Sequence, residues 1–410
     1  MNNADRLFAI LLLTFALGTQ AAWGLQQADA ATPDTVAPAA DMPGSTQERA
    51  YQDAIQDIES SEGAYAGQLS ESLYSLALSV QSQGRHAEAI KLFRRGVHLT
   101  RINEGLYCPQ QIPLLQGEIA SHKAVANYAQ ADERQHYLYR VQMRSLQSGD
   151  EFTDAIMQQA KWQYDAYRLG LRPQGYTHLM DMWDLYQHAA QDVIAREGDK
   201  SPKVLPPLYG MLQAQYLISR YELRESDQVF AEDQRIDESL LRFKSYRADS
   251  FEQGDAVIEA ISGIEQVPTA GGSSKQRVQT LVMLGDWRLW NGKTNAAWQA
   301  YREAETELAR EGDAQAELRQ LFGEPVPLPA IADLSPLPPT VDPREADVLF
   351  AFSVSEYGRV QDLERMDDNE ADDRQASLMM RQLRRTTFRP RFAAGQPLET
   401  EKLVKAFNIQ

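Results

Sequence analysis

From about Arg49 to Leu321 the chain holds a single kind of pattern, and that uniformity limits what it can fold into. The tract is rich in Ala, Leu, Gln, Glu and Arg and has few β-branched runs. Its Gly and Pro residues fall mainly at intervals suited to turns, which predicts helix after helix. So long a helical tract is first searched for internal repeats. Two windows, Ser70–Asn103 and Val278–Glu311, match at a constant displacement. Leu73 pairs with Leu281, Leu76 with Leu284, Ala77 with Gly285, Gly84 with Gly292, Ala89 with Ala297 and Phe93 with Tyr301. A small side chain at Ala77 and Gly285 lets two helices cross closely, Gly84 and Gly292 suit the turn between them, and Phe93 and Tyr301 fill the space between layers.

These spaced residues resemble the tetratricopeptide repeat. The resemblance implies helical hairpins stacked into a solenoid over residues 49–321, without Pro near the end of either window and with Arg288 at a usually apolar position. The tract between the windows is similar more loosely. Asn127–Asp132 and Gln253–Ile261 each read as a turn entering a second helix, and Trp162, Tyr164 and Tyr167, then Met182, Trp183 and Tyr186, read as paired helix faces. In such arrays the first helices line a concave face that holds a peptide or protein. That implication nominates Glu71, Tyr74 and Gln81, and Gln279, Val282 and Asp286, as partner-binding residues.

The helical pattern stops at a proline-rich segment. Residues 322–343 include seven of the chain's 19 prolines, a composition that resists helix and favours a semi-rigid polyproline linker. Beyond it, Val348, Phe350, Phe352 and Val354 alternate as a strand with one apolar face, and Val360 to Leu363 supplies its return. Ala376, Met379, Met380 and Leu383 form the buried stripe of a helix opened by the acidic run Asp367–Asp373, for which capping outweighs a calcium loop. Phe388-Arg389-Pro390 ends that helix, and Gly395-Gln396-Pro397 turns into a last segment reaching Phe407.

This order over 344–410 looks like the C-terminal domain of TonB. The expected fold class is therefore mainly α: a helical-hairpin solenoid followed by a small α+β module. The resemblance implies an edge strand over Leu398–Phe407 that recruits an envelope or outer-membrane protein by strand addition, with Leu398, Thr400, Val404 and Phe407 as contacts. A cluster of Arg381, Arg384, Arg385, Arg389 and Arg391 reads as a solvated, carboxylate-pairing surface, with an acidic partner patch as the competing reading.

The N-terminus indicates where the protein goes. Arg6, the apolar run Leu7 to Leu17 and the small residues Ala21 and Ala22 form the pattern of a signal peptide over 1–22, ahead of an Ala/Pro-rich disordered leader over 23–48. A periplasmic location is expected, with no membrane span in the mature form; an uncleaved segment would anchor the chain in the inner membrane instead. The formal charge of −17 argues against nucleic acid as a partner. Residues 344–410 hold 11 Lys/Arg and 12 Asp/Glu, so the acidity belongs to the first part. Cys108 stands alone, ruling out an intramolecular disulfide, and the sequence carries no HExxH, P-loop, GxSxG, GxGxxG or CxxC pattern. No catalytic residue, metal or cofactor is expected. The reading is a non-enzymatic interaction scaffold; the alternative is a TonB-like energy transducer.

Overall fold

The computed structural model describes residues 46–223, 238–265, 274–310, 314–331, 334–367 and 373–408. The expected signal peptide and nearly all of the leader lie outside the described residues, as does most of the run Asp367–Asp373. The described chain is mainly helical, with a small sheet region at its C-terminal end. It divides into two compact units, one ending at Arg196 and the other beginning at Glu197.

In the first unit, helices α1 (Thr46–Glu62), α2 (Leu69–Ser82), α3 (His86–Glu104), α4 (Gln111–Ala124), α5 (Tyr128–Ser145), α6 (Asp150–Leu169) and α7 (Gly175–Glu197) follow one another. Consecutive members pack together as far as α6. The apolar stripes read from the sequence make the core: Leu73, Leu76, Ala77 and Val80 of α2 meet Ala89, Phe93 and Val97 of α3 and Leu114, Leu115 and Ile119 of α4. Close approach selects small residues here. A Cβ on Gly117 would stand 2.4 Å from the Phe93 ring. The turn after α2 passes through Gly84 at φ +76°, the left-handed conformation that glycine adopts without strain. Trp162, Tyr164, Met182, Trp183 and Tyr186 are all buried.

The core of the first unit also takes in charge. The Glu118 carboxylate is fully buried and receives Arg94 Nε at 2.7 Å and an Arg134 guanidinium nitrogen at 2.7 Å, the pairing that a buried ion requires.

The second unit contains α8 (Leu205–Arg220), α9 (Glu238–Ala248), α10 (Ser250–Glu265), α11 (Ser274–Trp290), α12 (Thr294–Ala309) and α13 (Ala314–Phe322). Gln253–Ile261, expected as a turn entering a helix, lies inside α10. Gly254 is there for space: a Cβ would meet the Trp287 indole at 2.3 Å. That indole is fully buried, donates to the Phe251 carbonyl at 3.1 Å and stands edge-on to Tyr216.

The strands that follow are β1 (Val326–Pro327), β2 (Val348–Val354), β3 (Val360–Arg365), β4 (Phe388–Arg389), β5 (Arg391–Ala393), β6 (Gln396–Leu398) and β7 (Thr400–Phe407), with α14 (Asp373–Arg385) between β3 and β4. Three antiparallel strands run in the order β3-β2-β7, and β5-β6 is a separate hairpin. The apolar face of β2 packs Phe350, Phe352 and Val354 against Ala376, Met379 and Leu383 of α14, as the alternation required.

The proline-rich segment, expected to be a semi-rigid linker, lies inside this unit. Its β1 pairs with β4, and Leu328 is fully buried and donates its N–H to the Thr387 carbonyl at 2.8 Å. Phe388-Arg389, expected only to end a helix, is the strand that receives it.

Candidate functional site

The six positions expected to line a groove are in different situations. On α2, Glu71 is exposed, whereas Tyr74 is half-buried with its ring centroid 6.2 Å from that of Phe93. Gln81 ties its own helix to α4, donating to the Gly117 carbonyl at 3.0 Å and to Ser121 Oγ at 2.8 Å. On α11, Gln279 is exposed, but Val282 and Asp286 are buried. This corrects the expectation for both residues. The face they occupy is covered by the C-terminal segment, whose Phe392 enters the same apolar cluster as Val282, Trp298, Tyr301 and Phe322.

Asp286 is the electrostatic centre of that contact. Arg389 Nη1 lies 3.0 Å from one carboxylate oxygen and 3.3 Å from the other, and Tyr301 Oη donates to the carboxylate at 2.8 Å. Burial raises the Asp286 pKa, while Arg389 and the tyrosine bond pull it back down. Burial also pushes the Tyr301 and Tyr216 phenols well above their ordinary range. With its carboxylate already held by two donors, the cluster is suited to joining elements rather than to moving protons.

A second anchor sits on the β5-β6 turn, where the Ala394 and Gly395 N–H groups donate to the two oxygens of the Glu305 carboxylate at 2.9 and 2.8 Å. Nothing in the local pattern marked Glu305 or Arg389 as an anchor. The only available signal was the Phe-Arg-Pro triplet itself.

The C-terminal strand carries the other expected site. β7 is an edge of its sheet, paired on one side with β2. On its other side, Val341 donates to the Ala406 carbonyl at 3.0 Å and Thr340 bridges Phe407. Strand alternation then turns the Val404 N–H and C=O to the same outer side, where no partner meets them among the described residues. Val404 is 52% exposed and Leu398 37%, whereas Thr400 and Phe407 are buried and serve the core.

At the start of β7 a cavity of about 480 Å³ is lined by Ser353, Asp362, Glu364, Glu399, Thr400, Glu401 and Lys402, with Lys402 bridging to Glu364 at 2.8 Å. Among the described residues no group of three or more His, Cys, Asp or Glu is arranged to hold a metal ion. Among the same described residues no helix is long and apolar enough to cross a membrane.

No family model matches the chain, and no curated protein matches it. Among solved structures it is similar to the crystal structure of BtubC (BKLC) from P. vanneervenii, at 13% identity over 67% of this chain and 94% of that one, with a TM-score of 0.36.

Proposed function

We propose that the chain is an exported, non-enzymatic interaction scaffold whose open strand edge, β7, takes up an extended segment of an envelope protein. The observation that carries this is the outward-facing, unpaired backbone of Val404 on an exposed edge. Such an edge supplies main-chain donors and acceptors in register, while side chains on alternate positions select the partner. The α11–α12 hairpin of the second unit, read as tetratricopeptide-like, presents this edge, and the Asp286–Arg389 and Glu305 anchors hold the strand module against it.

Export is read from Arg6 and the apolar run after it. An energy transducer would need that run retained as an anchor, together with a long free spacer. The pairing of β1 with β4 supports the scaffold reading instead. The N-terminal mass of the natively expressed protein separates the two readings: a start near Trp23 or Ala31 rules out the transducer.

The edge itself is tested with a photo-crosslinking residue at Lys402 in the full chain, with Val404→Ala or Val404→Pro in the background. Proline removes the outward N–H without touching the ladder to β2. Adducts kept by Val404→Ala and lost by Val404→Pro are expected. Adducts equally strong in both would show that partners are not held by strand addition.

A further inference from the structure

Against a formal charge of −17, the second unit gathers arginines around one cleft. A cavity of about 360 Å³ is lined by Arg220 at the end of α8, Pro336, and Leu378, Arg381, Gln382, Arg385 and Thr386 of α14 and its end. The arginine cluster was expected to pair with nearby carboxylates. Arg381 and Arg385 are exposed, however, and neither has an ion pair among the described residues.

Arg220 is held in place from two sides. Its guanidinium lies 3.9 Å from the Trp290 ring centroid and donates to Thr387 Oγ1 at 3.3 Å. Its pKa is lowered, first by burial and then by the nearby Arg359, and Glu222 offsets this only in part.

The helix dipole accounts for part of the cluster, since Arg384 and Arg385 sit in the last turn of α14, where positive charge is favoured. Arg220 likewise closes α8, but the helix dipoles do not account for these two helix ends converging, with Arg381, on one cleft. The wall of the cleft is also apolar: Leu378 is 53% exposed, beside Pro336.

We propose that this cleft binds an acidic, extended protein segment, with carboxylates on Arg220, Arg381 and Arg385 and an apolar side chain against Leu378 and Pro336. Charge complementarity is the argument. A short segment suits the site better than a polyanion or an anionic lipid surface, because the remainder of the chain is strongly acidic and would repel an extended negative body. The cleft is separate from the β7 edge, so the proposal does not depend on strand addition.

The test uses the full chain and a fluorescent synthetic peptide of alternating Glu and Leu, with its Lys/Leu counterpart, inorganic phosphate and phosphatidylglycerol vesicles as competing probes. The expected result is binding of the Glu/Leu peptide but not the Lys/Leu peptide, weakened by salt and at least about ten-fold by R381E/R385E, two exposed positions at which the protein stays folded with a slightly lower melting temperature, since Arg385 favours the end of α14. Leu378→Ser should weaken it further. Unchanged affinity in R381E/R385E overturns the proposal. So does competition by phosphate or vesicles at concentrations equal to the peptide, which would assign the cleft to a small anion or to a headgroup.

Discussion

The guanidinium of Arg389 sits 3.0 Å from the carboxylate of Asp286, across 103 positions of sequence, with each side chain 7% exposed. A buried ion pair adds little net stability when intact but leaves a costly unpaired charge when one partner is removed. Arg389→Met should therefore cost about 3–5 kcal/mol, and the double change Arg389→Met/Asp286→Leu distinctly less. Chemical denaturation of the three proteins checks this, and a double variant weaker than the single would refute it.

Packing should outweigh propensity at Gly285. Alanine is the better helix former by about 1 kcal/mol, yet its Cβ would lie 2.2 Å from Tyr301 Cε1. Tyr301 cannot move aside, because its hydroxyl is bonded to Asp286 and its ring meets Phe322 and Phe392. Gly285→Ala is expected to lose about 1–3 kcal/mol in a thermal melt. A rise in melting temperature would mean that the α11–α12 crossing is looser than described.

The β5-β6 turn can be improved at one residue. Ala394 has φ +51° and is followed by Gly395 at φ +76°, the paired left-handed conformations of a tight hairpin turn. Alanine is strained there, so Ala394→Asn should stabilise by about 0.5–1 kcal/mol. Glu305→Ala should act in the opposite direction and speed hydrogen exchange at the Ala394 and Gly395 amides, which it leaves without their acceptor. Unchanged exchange would remove Glu305 as an anchor.

Acid should weaken the first unit through His178. This imidazole is fully buried, bonded by Nδ1 to Gln163 Oε1 at 2.7 Å, and burial with nearby Arg172 lowers its pKa to about 4. The unfolded chain protonates this group near its ordinary value of 6.5, whereas the native state resists protonation until about pH 4. The contribution to stability is thus complete above pH 6.5 and is lost as pH falls toward 4. Melting curves at several pH values in this window should show a smaller acid loss for His178→Leu than for the unaltered chain. Equal slopes would place the acid sensitivity elsewhere.

The chain's own order determined the elements. Period 3.6 through the long first part specified helices, and alternation at Val348–Val354 specified a strand whose apolar face packs on α14, because these depend on neighbours a few positions apart. The small residues at Ala77 and Gly285 and the fillers Phe93 and Tyr301 were legible for the same reason, each pair being spaced within a single hairpin.

The tertiary structure alone decided which helical face stays open. Val282 and Asp286 carry the pattern of exposed first-helix positions, but Phe392 and Arg389, about a hundred residues later, cover and pair with them. It also decided that the proline-rich segment is built in through β1, and that Thr400 and Phe407 serve the core while Val404 faces outward. Local pattern reports whether a residue has an apolar or polar face. Which distant segment comes to lie on that face depends on long-range burial and charge pairing, which no short window of sequence contains.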